Sequence, residues 1–232
     1  MSDGAARTTL RRADAHVRVD DVDTPALDEA TRHHLSRVLR LRDGATVTVT
    51  DGAGAWRPCR LVAAGAVVEP AGEITRAARP DPPITIAVAI PKGDRAEWMV
   101  QKCTEIGVDR IVLVHAARSV VQWDDARAAR HVDRLRRVAA EAAMQSRRVW
   151  LPELSGPVPV DEVLATTAVA EPGGRALRGG DTTVAVGPEG GWSPDELAGA
   201  ADTVSLGPHI LRVETAAVVA STLLVAARES QR

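Results

Sequence analysis

Residues 84–90, ITIAVAI, form an almost unbroken apolar run, the pattern of a strand buried on both faces. A chain with such a strand must cover both sides of it with helices, which leads to an α/β fold built on a parallel sheet. The turn PKG follows, and Met99, Cys103 and Ile106 then recur at helical spacing until Gly107. Asp94, three residues before Glu97, predicts a capping-box start for that helix. RIVLV at 110–114 predicts a second strand and completes a right-handed βαβ unit. A long helix is expected from about Asp125 to Gln145, with Val132, Leu135, Ala139 and Ala142 on one face; further strands are expected near 166–170 and at 182–186.

Three prolines within residues 80–83 forbid helix and mark a boundary between domains 1–77 and 78–232. Before that boundary TVTVT (46–50) alternates, DGAG (51–54) turns and WRPCRLV follows, a β-hairpin within a small β-rich domain. No apolar run is long enough to span a bilayer and the first residues lack a secretory core, so the expected location is the cytoplasm. Cys59 and Cys103 stand far apart, without the spacing of a zinc site, and are expected to be buried; no metal is expected.

The net charge of -2 argues against wholesale electrostatic binding of nucleic acid, and the absence of Phe and Tyr against an aromatic RNA platform of the RRM or OB type. RNA contact therefore requires local patches. Arg127, Arg130, Arg134 and Arg137 fall at helical spacing on one face of the long helix, with Arg147 and Arg148 beyond it. Arg32, His33, His34, Arg37, Arg40 and Arg42 form a second cluster; either group could equally be a solvated face.

The strongest motif is TTVAVGPEGGWSPDEL (182–197), a buried strand running through a glycine-rich loop into a helix with Ser193 as N-cap, Pro194 at N1 and Glu196 at N3. Gly187, Gly190 and Gly191 would let backbone approach a ligand beyond the strand end, with a tight structural turn as the alternative. The loop matches neither phosphate-binding fingerprint, which leaves an NAD- or ATP-using enzyme as a distant reading. A second motif, LGPHILRVETAA (206–217), carries the charged pair Arg212 and Glu214 and opens a helix, about 215–227, with no polar face. That helix is either central to the core or covered by a second subunit.

In their order and spacing, KGDRAEWMVQKCTEIGVDRI, AMQSRRVWLPEL, VGPEGGWSPDEL and LGPHILRVETAA resemble the RsmE-type ribosomal RNA uracil-N3 methyltransferases of the SPOUT superfamily. HHLSRVLRLRDGATVTVTDG is similar to their PUA-like RNA-binding domain. The resemblance implies a knotted (trefoil) parallel-sheet domain after a PUA-like β-barrel, a homodimer, S-adenosyl-L-methionine (SAM) as cofactor, and methylation of uracil N3 at one site in 16S ribosomal RNA within the small subunit. Carried over by position, the cofactor residues would be Pro172, Gly187, Pro188, Glu189, Gly190, Gly191, Leu206, Gly207, Ile210, Leu211, Arg212, Thr215 and Ala216. AEP (170–172) replaces an expected histidine-containing run and Met144 an expected acid, so side-chain contacts from those places are in doubt.

Methylating N3 requires removing its proton and stabilising the resulting charge on the uracil oxygens. Glu189 and Glu214 are the acidic candidates, with Arg148 and Arg212 as the stabilising cations; a dipole-complementing carboxylate and a structural Arg212–Glu214 pair are the competing explanations. Two other functions stay open: a SPOUT enzyme acting on another RNA, and a catalytically inactive RNA-binding assembly factor.

Overall fold

The computed structural model describes residues 3–231, which divide into two compact units: residues up to Arg79 together with Ala143–Leu151, and Pro80–Ala142 together with the chain from Pro152 onward. The break at Arg79 lies two residues from the expected boundary. Ala143–Leu151, expected in the second domain, groups with the first.

In the first unit, helix α1 (Asp3–Arg12) leads into strand β1 (Ala15–Arg18), followed by the short helix α2 (Glu29–His33), which Asp28 caps through the Thr31 amide. Strands β2 (Thr46–Thr50), β3 (Ala55–Val62), β4 (Val67–Pro70) and β5 (Thr75–Arg76) complete a five-stranded sheet. β1 runs parallel to β2, and β2 and β3 form the expected hairpin, with Thr50 opposite Trp56. Val47 and Val49 face a core with Leu35, Cys59 and Leu61. The opposite face, which alternation alone would leave to solvent, is also buried at Thr48 and Thr50. The 143–151 segment explains this. Val149 O accepts from the Gly54 amide, the Leu151 amide donates to Gly52 O, and Trp150 Nε1 donates to Ala77 O. A Cβ on Gly54 would meet the Trp150 ring at 2.5 Å, so that indole fills the space the glycine leaves.

His16 is locked under the same segment. Its Nε2 donates to Arg148 O at 3.1 Å, and its Nδ1 accepts from the Thr48 hydroxyl at 2.8 Å. Both ring nitrogens are thus satisfied in the neutral form, and burial pushes the imidazole down from 6.5 to about 4.

The second unit is a six-stranded, wholly parallel sheet in the order β11-β9-β10-β6-β7-β8. Its strands are β6 (Thr85–Ala89), β7 (Arg110–His115), β8 (Glu153–Pro159), β9 (Ala168–Ala176), β10 (Thr183–Val186) and β11 (Asp202–Ser205). The helices are α3 (Arg95–Ile106), α4 (Asp125–Gln145), α5 (Asp161–Leu164), α6 (Pro194–Gly199) and α7 (Val213–Glu229). β6 lies inside the sheet and is buried on both faces: Ile86 and Val88 pack with Met99, Val100 and Leu224, while Ala87 and Ala89 pack with Val114, Val169 and Trp192. Gly107 ends α3 in the left-handed conformation, as expected. Asp94 does not cap it: its backbone is already helical (φ -70°, ψ -5°) and its side chain makes no cap bond. The apolar helix α7 buries Ala216, Ala217, Ala220 and Leu224 in the core, leaving Thr222 and Leu223 outward. Burial pushes both thiols, Cys59 and Cys103, up to about 11.

One buried ion pair fastens α7 to the start of the sheet. Arg228 Nη1 meets Asp109 Oδ2 at 2.5 Å, both side chains are buried, and the same carboxylate accepts from the Ile84 amide at 2.9 Å. Asp109→Ala removes the buried carboxylate from a guanidinium whose other partners are Pro82 O at 3.3 Å and the half-exposed Glu229 at 3.5 Å, and should destabilise the second unit by about 3 kcal/mol in urea unfolding, whereas Asp109→Leu with Arg228→Met should lose far less. His16 gives the first unit a different signature. Its folded pKa lies below the unfolded value, so the unfolded state takes up the extra proton and stability falls as pH drops from about 6.5 to 4. Unfolding followed through Trp56 and Trp150 emission should lose up to about 3 kcal/mol over that window, and His16→Gln should flatten the slope.

Candidate cofactor cavity

The carboxyl edge of the parallel sheet carries a cavity of about 250 Å³, made where three neighbouring strands release their loops. β9 pairs with β11 at Ala168 and Val169, then jumps register so that Val204 meets Arg175. Residues 170–174 therefore bulge from the sheet, and Ala170, Glu171 and Pro172 line the cavity. Arg175 secures the return: its Nη1 meets Asp181 at 2.7 Å and its Nε meets Asp202 at 2.5 Å. The guanidinium holds both carboxyls below their usual range. The loop after β10 supplies Gly187, Pro188, Gly191 and Trp192; the loop after β11 supplies Leu206, Gly207, His209, Ile210 and Leu211; Val213 and Ala216 of α7 complete the wall.

The glycine-rich loop is braced from behind. Ser193 Oγ accepts from the Glu196 amide at 3.2 Å and the Ser193 amide donates to Glu196 Oε2 at 2.7 Å, the expected capping box. The other oxygen of Glu196 accepts from the Ala117 amide at 2.7 Å, tying the loop to the one after β7. Arg118 donates to Gly190 O and Trp192 O, and Trp192 Nε1 donates to Ala170 O at 3.0 Å. The glycines also answer to the packing around them. A Cβ on Gly187 would strike the Trp192 indole at 2.8 Å, one on Gly190 would crowd Arg118, and Gly191 has a positive φ of 69°.

Nine of the thirteen residues expected to hold a cofactor line the cavity: Pro172, Gly187, Pro188, Gly191, Leu206, Gly207, Ile210, Leu211 and Ala216. Glu189, Gly190, Arg212 and Thr215 do not. Ile210 projects at 91% exposure over the opening, and no Lys or Arg lines the wall. Arg212 does not pair with Glu214. It forms the exposed N-cap of α7, while the buried Glu214 accepts from Arg95 Nη1 at 3.5 Å. Arg95 also meets Glu189 Oε1 at 3.4 Å. Sequence reasoning missed Arg95, Arg118, Trp192 and His209. Only Arg95 carried a usable signal, as the one arginine in the KGDRAEW segment, and its acidic partners lie about a hundred residues further on.

Arg148 belongs to the first unit, as does Arg147, whose guanidinium donates to Ala13 O at 2.9 Å and thus helps close that unit. Arg32, His33, Arg37, Arg40 and Arg42 are exposed there, around Val38 and Leu39, which are exposed too. Arg127, Arg130, Arg134 and Arg137 are exposed along α4, with Arg134 paired to Glu97 at 2.7 Å.

Residues 79–225 match the family model of an RNA methyltransferase domain, and residues 27–67 that of an RNA methyltransferase PUA domain. Ribosomal RNA small subunit methyltransferase E of Mycobacterium bovis is 38% identical over 210 residues, covering 81% of this chain and 80% of the relative. The protein of that name from Bacillus subtilis is 29% identical over 88% and 90% of the two chains. Among solved structures, a probable rRNA-methyltransferase from Porphyromonas gingivalis superposes with a TM-score of 0.79 at 29% identity, covering 94% of this chain and all of the other (100%). Ribosomal RNA small subunit methyltransferase E from Neisseria gonorrhoeae, bound to S-adenosyl methionine, gives 0.72 at 28% identity over 94% and 97%. Matched along most of its length, with both domains in the same order, this chain belongs to the RNA methyltransferase family that includes the small-subunit ribosomal RNA methyltransferases E.

Proposed function

We propose that this chain transfers a methyl group from SAM to N3 of a uracil at one site in 16S ribosomal RNA of the small subunit. The observation that carries the reading is the cavity at the ends of β9, β10 and β11. Its wall is backbone and mostly apolar side chains, with Ser205, His209 and one carboxylate, Glu171, as the polar groups and no Lys or Arg. That suits an adenosyl group with a cationic sulfonium and does not suit a phosphate. The Neisseria relative of similar fold holds SAM. SAM supplies an electrophilic methyl, and the balanced products are N3-methyluridine, S-adenosylhomocysteine and a proton.

The chain's own groups divide the remaining work. Glu189 is the carboxylate open to solvent beside the cavity loop and the better placed to take the N3 proton; Arg95 holds it at 3.4 Å and sets its orientation. Glu214, buried under the same guanidinium, positions Arg95. Arg212, next to the lining residues Leu211 and Val213, is the cation for the charge on the uracil oxygens, with Arg148 as a further candidate. The RNA is gripped by the exposed arginines of α4 and of the first unit. The strand order, with β9 seated between the later strands β10 and β11, supports a trefoil-knotted path. A homodimer is supported by exposed Trp98 on α3 and Leu223 on α7, two helices that pack on each other. Among the described residues no helix is long and apolar enough to cross a membrane, in keeping with a cytoplasmic enzyme.

Methyl transfer from labelled SAM to small subunits lacking the modification, with the methylated base located by mass spectrometry, tests the reading. A single N3-methyluridine is expected; labelling of another base or of another RNA alone overturns it. Glu189→Gln should lower kcat about a hundredfold with SAM affinity intact. Gly187→Ala, by driving a methyl group into the Trp192 ring, should weaken SAM binding about tenfold in calorimetry.

A further inference from the structure

A second cavity, of about 460 Å³, opens beside the first. Its walls are residues 91–94 after β6, Ala96 and Glu97 in the first turn of α3, residues 120–123 after β7, and the amino-terminal half of α4. β6 and β7 are neighbours in the sheet, and β6 also neighbours β10, so both cavities lie along one edge. Arg95 stands between them. Its Nε donates to Lys92 O at 3.0 Å on the wall of the second cavity, and its Nη1 meets Glu189 on the loop that bounds the first.

The chemistry of this second cavity is different. Lys92, Arg127 and Arg134 bring three cations against the carboxylates of Asp94 and Glu97, and Glu97 is already engaged by Arg134. Trp123 lies flat on His131, with ring centroids 4.4 Å apart and planes 12° from parallel. The Trp123 amide donates to His115 Nε2 at 3.3 Å, which fixes the backbone carrying the indole. Val120 stands at the rim at 72% exposure. The chain has no Phe or Tyr, and of its five tryptophans Trp56 and Trp192 are buried, so Trp123 is one of few rings that can meet a base, and it lines a cavity with cations. His131 covers one face of the indole, and the stacked pair lines the cavity with cations beside it; an aromatic wall next to cations is what a single-stranded nucleotide requires, the base packing on the rings and the phosphate meeting the cations.

We propose that this cavity takes one nucleotide of the substrate RNA flanking the target base, its base against Trp123 and Val120 and its phosphate at Lys92 and Arg127. The proposal rests on the RNA-methylating reading above. Holding a neighbour there would splay the strand so that the target base can reach the mouth of the cofactor cavity beside Glu189, with Arg95 keeping the two loops in step.

Steady-state methylation of small subunits tests it. Trp123→Ala should raise KM about tenfold with SAM affinity unchanged, and Trp123→Phe should restore it. Arg127→Ala, a surface change that does not threaten folding, should raise KM and reduce the salt dependence of binding by about one phosphate contact. Unchanged KM in both Trp123→Ala and Arg127→Ala overturns the proposal. So does a Trp123→Ala protein that alters sedimentation while RNA affinity stays the same, because the cavity would then be a protein interface. If the wild-type chain methylates no subunit, the reading of function fails separately. The cavity is then judged by photocrosslinking a 4-thiouridine-substituted 16S transcript: crosslinks within residues 118–134 support it, and crosslinks only elsewhere overturn it.

Discussion

The paired central strands β6 and β10 set the conditions for everything else in the second unit. Ile86, Val88, Val184 and Val186 are all but inaccessible on one side and Ala87, Ala89 and Ala185 on the other, so neither strand has a face that water can wet. Helices must therefore lie on both sides, and the only place left for polar chemistry is the edge where the strands end. Both cavities lie on that edge. Small residues on one face of β6 and larger ones on the other also make the two layers unequal, which lets Trp192 pack close to the sheet above Ala87 and Ala185.

The cavity loops are held by bonds that reach across the sequence. Glu196 serves its own helix and the loop after β7; Trp192 fills the space of Gly187 and reaches the bulge of β9; Arg95 joins the loop after β6 to the glycine-rich loop and to α7. Each of these groups spans two or three strand ends. Disturbing one loop therefore moves its neighbours, and the edge behaves as a single piece in which cofactor and substrate positions are set together.

Periodicity made the regular elements legible. The apolar runs at β6 and β10, the face of α4 and the Gly107 stop are local signals, and the structure follows them. The capping box at Ser193 was equally visible because all its parts lie within four residues. What failed was tertiary. Asp94 had the right spacing for a cap, but a backbone already in the helical region cannot present its carboxylate to the first turn. Arg212 and Glu214, two residues apart, looked like a pair, yet the start of α7 sends one outward and buries the other beside Arg95. The glycines of the loop pointed to a cavity, and Gly187 and Gly191 line one; that Gly187 and Gly190 also make room for an indole and an arginine brought in by folding was not legible locally.

The return of Ala143–Leu151 to the first unit has a consequence for how the molecule is made. Gly52 and Gly54 in the hairpin turn, and His16 beneath it, take their partners from residues that leave the ribosome about a hundred positions later. The amino-terminal module is therefore unfinished when its own strands have been synthesised, and it closes only after the first two of the six strands of the parallel sheet are already out. The two units mature in an interleaved order, and a fragment cut at the proline-rich boundary would lack the strip of chain that covers its threonine face.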